Sequence, residues 1–238
     1  MRANITGIGW VTAAGMGRGR TQGDFTMPSG RPFGFDPQHA FSKPCPNLRR
    51  MDHFSRMGVT AIALALTDAG LVDWTEKRPI GVVASTVFGC LGADVEYYNT
   101  VIPNRGAQAS PTLFSYTSAN SFLGEASILF GLTGTNYAIS DADSSGMAAL
   151  QAALENISLG EDLKILGGVC DAGCPEIFKQ PDTVPQGAVF FMLESVRTGS
   201  QTPFGRLSSD ASGTLRFNDS KVAGVTDLAK QCLSEISE

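Results

Sequence analysis

Apolar positions fall into two kinds of stretch along this chain: short unbroken runs, and longer segments in which apolar residues recur at helical spacing. The runs 4–12 (NITGIGWVT) and 80–86 (IGVVAST), with their β-branched residues, and the short runs 135–140 (TNYAIS), 163–169 (LKILGGV) and 187–195 (GAVFFMLES) predict strands. They are apolar throughout rather than at alternate positions, the pattern of strands covered on both faces. Between them, Ile62, Leu66 and Ala69 share one face of a predicted helix at 54–70, with Asp52 placed to cap it and Gly70 to end it. Further helices are predicted at 119–130, within a segment opened by Ser110-Pro111, and at 145–159, where Met147, Leu150, Leu154 and Ile157 line up. A closing helix at 219–237 puts Val222, Val225, Leu228, Cys232 and Ile236 on one side. The order strand, helix, strand, helix, strand, helix, strand, strand predicts an α/β fold, a layered mixed sheet with helices on both faces. Residues 15–50 show neither period and are rich in Gly, Pro, Arg and Phe; a long loop or flap, ordered by docking, is expected. Residues 196–238 are expected to form a C-terminal tail, and the whole chain a single domain.

Composition narrows the function. The net charge of −5 excludes an extended nucleic-acid face, and the pair Arg49 and Arg50 is too small an exception to change that. No run of about 18 apolar residues is present, so no membrane span is expected. The N-terminus reads as a strand after a single Arg rather than as a signal peptide, and a cytoplasmic protein is expected. The five cysteines are scattered; Cys170 and Cys174 have no second Cys or His pair to complete a zinc site, so no metal is expected and the thiols read as packing residues. The glycines of GMGRGR lack the Lys-Ser/Thr ending of a phosphate loop, and no cofactor is expected. Only two histidines occur, His39 and His53, and acyl-transfer chemistry generally needs one beside its nucleophile.

The stretch YAISDADSSGMAALQAALENISLG, 137–160, carries the most chemical information. A strand runs through a Ser/Asp/Gly turn into a helix, the setting in which many folds expose a nucleophile. The central position is a carboxylate, Asp143. Capping of the helix by Asp141 or Asp143 accounts for either residue, and Ser144, Ser145 and Gly146 suit a tight turn. Asp143 as a general base lacks a histidine partner, and Cys90, in FGCLG, lacks a base beside it in sequence.

ITGIGWVT, RRMDHFSRMGVTAIALALTDAGL, SPTLFSYTSANSFLGEASILFGLTGTNYAISDADSSGMAAL, LKILGGVCDA and GAVFFMLE resemble, in that order, the N-terminal half of β-ketoacyl synthases of the thiolase fold. The resemblance reaches to about residue 195 and is weakest in the flap. In that family the elbow reads Thr-Ala-Cys-Ser-Ser-Gly and its Cys carries the acyl chain. Here the frame is Asp141-Ala142-Asp143-Ser144-Ser145-Gly146, so the resemblance implies a lost nucleophile. It also implies half of a thiolase-like fold, because the family's catalytic histidines, lysine and second oxyanion-hole amide belong to a C-terminal repeat absent from this sequence.

Family members pair through the strand before the nucleophile, and the segment ahead of it lines the partner's acyl tunnel. The resemblance therefore places Tyr137 and Ile139, with Phe114, Tyr116, Ser118, Asn120 and Phe122, at a dimer interface or tunnel wall; plain core packing is the other reading of these side chains. The implied function is a non-catalytic, chain-length-factor-like subunit that pairs with a full-length ketosynthase in polyketide or fatty-acid biosynthesis and meets an acyl carrier protein through that complex. The alternatives are an acyl-carrier thioesterase or malonyl decarboxylase using Asp143, and a homodimeric acyl- or carrier-binding module. The helix after Asp143 has an apolar face that needs a cover, supplied by residues 15–50, by residues 196–238 or by another subunit.

Overall fold

The structure, a computed structural model, describes residues 1–21, 25–41, 44–178, 184–196 and 201–235. Its spine is β1 (Arg2–Thr12). β1 pairs antiparallel with a short hairpin strand, β2 (Gly15–Arg18), and carries α1 (His53–Asp68) against one face. Then come β3 (Ile80–Thr86), α2 (Leu91–Val101), the one-turn α3 (Pro111–Phe114), α4 (Ser121–Phe130), β4 (Asn136–Ser140), α5 (Met147–Leu159), β5 (Lys164–Asp171) and β6 (Gly187–Glu194). β7 (Gly205–Ser209), β8 (Leu215–Phe217), β9 (Ser220–Lys221) and α6 (Val225–Ser234) complete the described order. The strands form one sheet in the order β4-β3-β5-β6-β1-β7-β8-β9, with β2 off the path beside β1. β3, β4 and β5 run parallel and the remaining pairs antiparallel, so the sheet is mixed.

Two apolar layers cover it. On one face α1 and α4 pack Met57, Ile62, Leu66, Phe122 and Leu123 onto Val82, Leu166, Phe190 and Met192. On the other, α5 and α6 pack Leu150, Leu154, Leu228 and Cys232 onto Ile5, Ile8, Phe191 and Leu193. The close seat of α1 follows from two glycines of ITGIG: a Cβ on Gly9 would lie 2.3 Å from the carbonyl oxygen of Ala61, and one on Gly7 2.4 Å from that of Ala65. The helix is capped as its sequence predicts, with Asp52 accepting from the Ser55 amide at 3.1 Å.

Several elements differ from the expectation. The flap opens with β2, and Arg20 then anchors it, its backbone amide donating to the buried Asp68 at 2.8 Å. Farther along, Ala40, Cys45, Leu48 and Met51 pack into the α1 layer. α2 was not predicted, since Ala93 is its one buried residue and no apolar stripe marks it. The helix expected from residue 119 begins at Ser121, and that expected from 145 begins at Met147. Within the expected tail lie β7, β8 and β9; Asn218 and Asp219, at φ 45° and 72°, make the two-residue turn between the last two. The closing helix starts at Val225 rather than 219, and Ile236 and Ser237 lie outside the described residues. β4 departs from the expectation of strands covered on both faces: it is an edge strand with exposed ends and a half-buried centre. From the tail, α6 shares one apolar layer with α5, while Gln151 and Glu155 form a polar stripe on the helix.

Two glycine substitutions separate close approach from mere helix propensity. Gly9→Ala puts a methyl group into the α1 backbone and should lower unfolding stability by about 1–3 kcal/mol. Gly124→Ala, inside α4 with no atom within 4 Å of the added methyl, should raise it by about 0.5–1 kcal/mol. Urea denaturation of both variants against the wild type measures the two signs.

Candidate functional site

The elbow stands where β4 ends and α5 begins. The β3–β4 pairing continues one residue past the strand, with the Asp141 amide donating to the Thr86 carbonyl at 2.9 Å. The chain then turns at Gly146, whose φ of 73° belongs to the left-handed region. A Cβ there would lie 2.3 Å from Val169 and 2.6 Å from Val225, so conformation and space both require glycine. Val225 reaches this point because its amide donates to the Ser145 carbonyl at 2.8 Å, which seats the start of α6 on the turn.

Asp143 is exposed, and both of its oxygens are engaged by a single residue. Oδ1 accepts from the Ser145 amide at 2.8 Å and Oδ2 from the Ser145 hydroxyl, also at 2.8 Å. The Asp143 amide in turn donates to Asp141 Oδ1 at 3.1 Å. The capping expectation is therefore corrected. The N-cap of α5 is Gly146, which has no side chain, and the nearest substitute is Ser145 Oγ, accepting from the Met147 amide at 3.3 Å. The left-handed glycine delays the helix, so the bonds of Asp141 and Asp143 close inside the turn. Ser144, like Asp141 and Ser145, is half-buried. Both histidines are engaged in or beside the flap: His39 with Asp36 at 3.6 Å, and His53 against the rings of Phe33 and Phe35.

A second carboxylate, not singled out from sequence, organises the neighbouring loop. Asp171, buried at the end of β5, accepts from the Thr86 hydroxyl at 3.0 Å, the Val87 amide at 3.0 Å and the Phe88 amide at 2.9 Å. Burial pushes its carboxyl up despite these donors. The available signal was an acidic residue ending an otherwise apolar strand. Cys90, at the start of α2, is buried; desolvation, and then the nearby Asp94, push its thiol up to about 12. It stays a protonated packing residue, as its sequence context suggests.

The interface candidates divide by burial. Phe114 is 61% exposed and its ring lies 5.4 Å from that of Tyr97, while Ser118 and Asn120 are exposed and bonded to each other at 2.6 Å. Tyr137 and Ile139 are half-buried on the edge strand β4, and the Tyr137 hydroxyl accepts from Asn156 at 3.3 Å. Tyr116 and Phe122 point the other way. Phe122 is fully buried, edge-on to Phe54 and Phe190, and Tyr116 is buried with its hydroxyl donating to Glu125 at 3.2 Å. These two belong to the core of this chain rather than to an exposed wall; Gly58 leaves the space that the Phe122 ring fills. Two cavities of about 730 and 710 Å³ lie beneath the flap, one walled by Phe41, Trp74, Arg78 and Phe130, the other by Leu48, Arg49 and Arg56. Neither is lined by an elbow residue. Among the described residues no helix is long and apolar enough to cross a membrane.

Residues 12–184 match the family model of the beta-ketoacyl synthase N-terminal domain. The chain is 33% identical over 144 residues to 3-oxoacyl-[acyl-carrier-protein] synthase 2 of Vibrio cholerae serotype O1, covering 60% of this chain and 34% of that protein. It is 32% identical over 127 residues to the chloroplastic 3-oxoacyl-[acyl-carrier-protein] synthase I of Arabidopsis thaliana, covering 51% and 27%. The chain thus spans about a third of the length of the curated relatives it matches. Among solved structures, the ishigamide ketosynthase/chain length factor superposes with a TM-score of 0.68 at 19% identity, covering 89% of this chain and 64% of that one. A type II polyketide acyl-carrier protein in complex with its ketosynthase, AntDE:AntF, gives 0.69 at 22%, covering 87% and 67%. At these identities the superpositions establish the thiolase-like ketosynthase fold.

His53, at the start of α1, offers a pH test of the flap's seat. Burial, and then the charges of Arg31 and Arg56, lower its pKa from 6.5 to about 4. The folded state therefore favours the neutral ring. Its contribution to stability is complete above about pH 6.5 and is lost as the pH falls towards 4. In His53→Gln, the fall in urea midpoint between those pH values should be smaller than in the wild type, and NMR titration of the wild-type ring should show its midpoint near pH 4. A midpoint near 6.5 contradicts this account of the half-buried ring.

Proposed function

The chain belongs to the β-ketoacyl synthase family, and from that premise we propose that it acts as a non-catalytic, chain-length-factor-like subunit paired with a full-length ketosynthase. The observation that carries this reading is the state of Asp143. A condensing elbow presents a thiolate that takes an acyl group as a thioester; here the matching position holds a carboxylate whose two oxygens are both bonded to Ser145. A carboxylate that did attack a thioester would form an anhydride, which water destroys. Among the described residues no histidine bonds to Asp143.

What the elbow lacks in chemistry, its surroundings offer in contact. Among the described residues β4 has one paired side and one free side, and Tyr137 and Ile139 on it are half-buried. Exposed Phe114, with Ser118 and Asn120, provides an aromatic projection fit to enter a partner's tunnel. The acyl carrier protein meets this subunit through the complex, in polyketide or fatty-acid synthesis in the cytoplasm. Phe114 is the residue on which the pairing should depend most.

Co-expression with a full-length ketosynthase, followed by size exclusion at micromolar concentration, should give co-elution. Phe114→Glu should abolish it without changing the far-UV circular dichroism. Failure to co-elute together with a stable dimer of this chain alone would favour a homodimeric binding module instead. In mass-spectrometric assays with acyl- and malonyl-carrier substrates, wild type and Asp143→Asn should be equally inactive. Thioester hydrolysis or decarboxylation that disappears in Asp143→Asn would replace the proposal with an Asp143-dependent enzyme.

A further inference from the structure

The larger of the two cavities beneath the flap has walls of two kinds. Phe41, Val72, Trp74, Leu129 and Phe130 give it apolar sides, and Arg78 gives it a cation. The end of α4 fixes both. The Trp74 indole donates to the Leu129 carbonyl at 3.0 Å and lies over Gly131, where an added Cβ would come within 2.6 Å of the ring. The Arg78 amide donates to the Gly131 carbonyl at 2.8 Å, and its guanidinium Nη2 to the Phe130 carbonyl at 3.0 Å. The rings of Phe41 and Phe130 stack, centroids 6.0 Å apart and planes 12° from parallel, which joins the flap to α4. Indole, phenyl pair and guanidinium thus hold set positions without a ligand.

Arg78 is the uncompensated member of this wall. It is half-buried, and burial lowers its pKa. Its Nε is buried with no hydrogen-bond partner, and among the described residues the guanidinium forms no ion pair. A desolvated guanidinium gains most from a planar anion that takes two N–H groups at once. The acids that also line the cavity, Asp73 and Glu76, are exposed. Their charges disfavour a polyanion such as a nucleotide and leave a single carboxylate as the anion that one guanidinium balances.

We infer that this cavity binds a small aromatic carboxylate, its ring against Trp74 and the Phe41–Phe130 pair and its carboxylate on Arg78. Ring-to-ring contact adds to the burial of apolar area, and the charge-assisted hydrogen bond fixes the ligand's orientation. The volume of about 730 Å³ suits a small molecule. The walls come from the flap, from the connection between α1 and β3, and from α4, so a bound ligand ties the flap to the frame. No elbow residue lines the cavity, and the inference is independent of the reading of Asp143.

The test titrates the full chain with 2-naphthoate and follows the indole N–H signals by NMR. The chain has two tryptophans, and Trp10, edge-on to Phe25 in the opposite apolar layer, serves as internal control. The Trp74 signal, assigned by its loss in Trp74→Phe, should shift on titration while that of Trp10 stays in place. 2-Naphthylmethanol, the same ring without the charge, should bind the wild type about tenfold more weakly, as should 2-naphthoate the variant Arg78→Gln. Removing the acids, in Asp73→Asn with Glu76→Gln, should leave 2-naphthoate bound at least as tightly as in the wild type. Arg78 also holds the end of α4, so its variant is read only when circular dichroism shows it folded; the comparison of acid with alcohol on the wild type decides without it. Equal affinity for the alcohol, stronger binding of 2-naphthylmethylamine than of the acid, or weaker binding once the two acids are removed would overturn the inference. So would equal shifts of both indole signals, or none at millimolar probe.

Discussion

The structure depends on how closely α1 approaches β1. Gly7 and Gly9 face the helix at positions where even a methyl group would meet backbone atoms of Ala61 and Ala65, and Ala61, Ala65 and Ala69 are buried on the helix side. Small residues on both partners bring a helix and a strand to near backbone contact, and that contact sets the depth of one apolar layer. Phe122 can then lie between Phe54 and Phe190 over Gly58, which places α4 and, after it, the strand leading to the elbow. The contact joins residues far apart in sequence, Gly9 with Ala61 and Gly7 with Ala65.

Buried carboxylates tie the irregular segments to this frame. Asp68, at the end of α1, accepts from the amides of Ile8 at 2.9 Å and Arg20 at 2.8 Å and pairs with the Arg20 guanidinium at 3.3 Å. Arg20 also donates to the carbonyls of Thr6 and Thr202 and lies 4.4 Å over the ring of Phe204. One side chain thus joins helix, central strand, flap and the strand region of the tail. Desolvation raises the Asp68 pKa, and fixed donors compensate for part of that cost. Asp171 plays the same part for the loop after β3. Thr86 links this loop to the elbow, because its hydroxyl bonds Asp171 while its carbonyl bonds the Asp141 amide.

The elbow is fixed by backbone conformation and short-range hydrogen bonds. Gly146 must stay left-handed beneath Val225, and Ser145 is held on three sides, by Asp143, by the Met147 amide and by the start of α6. Asp143 closes a ring of hydrogen bonds with Ser145. The turn lies next to the edge strand β4 of the sheet.

The sequence by itself determined the main strands, the helices α1, α4 and α5 to within two residues, and the family. Those features are written locally, in apolar runs, helical spacing, the Asp52 cap and the elbow frame. Tertiary structure decided the remainder. β2, β7, β8 and β9 run for two to five residues and exist because neighbouring strands complete their ladders, which no short window reveals. Tyr116 and Phe122 sit in the same aromatic-rich segment as Phe114, yet only the packing of α4 on α1 turns the first two inward and leaves the third exposed. In the same way the composition of the turn allows Asp143 to cap a helix, but the left-handed glycine sends its bonds to Ser145, because hydrogen-bond partners follow the path of the backbone in space.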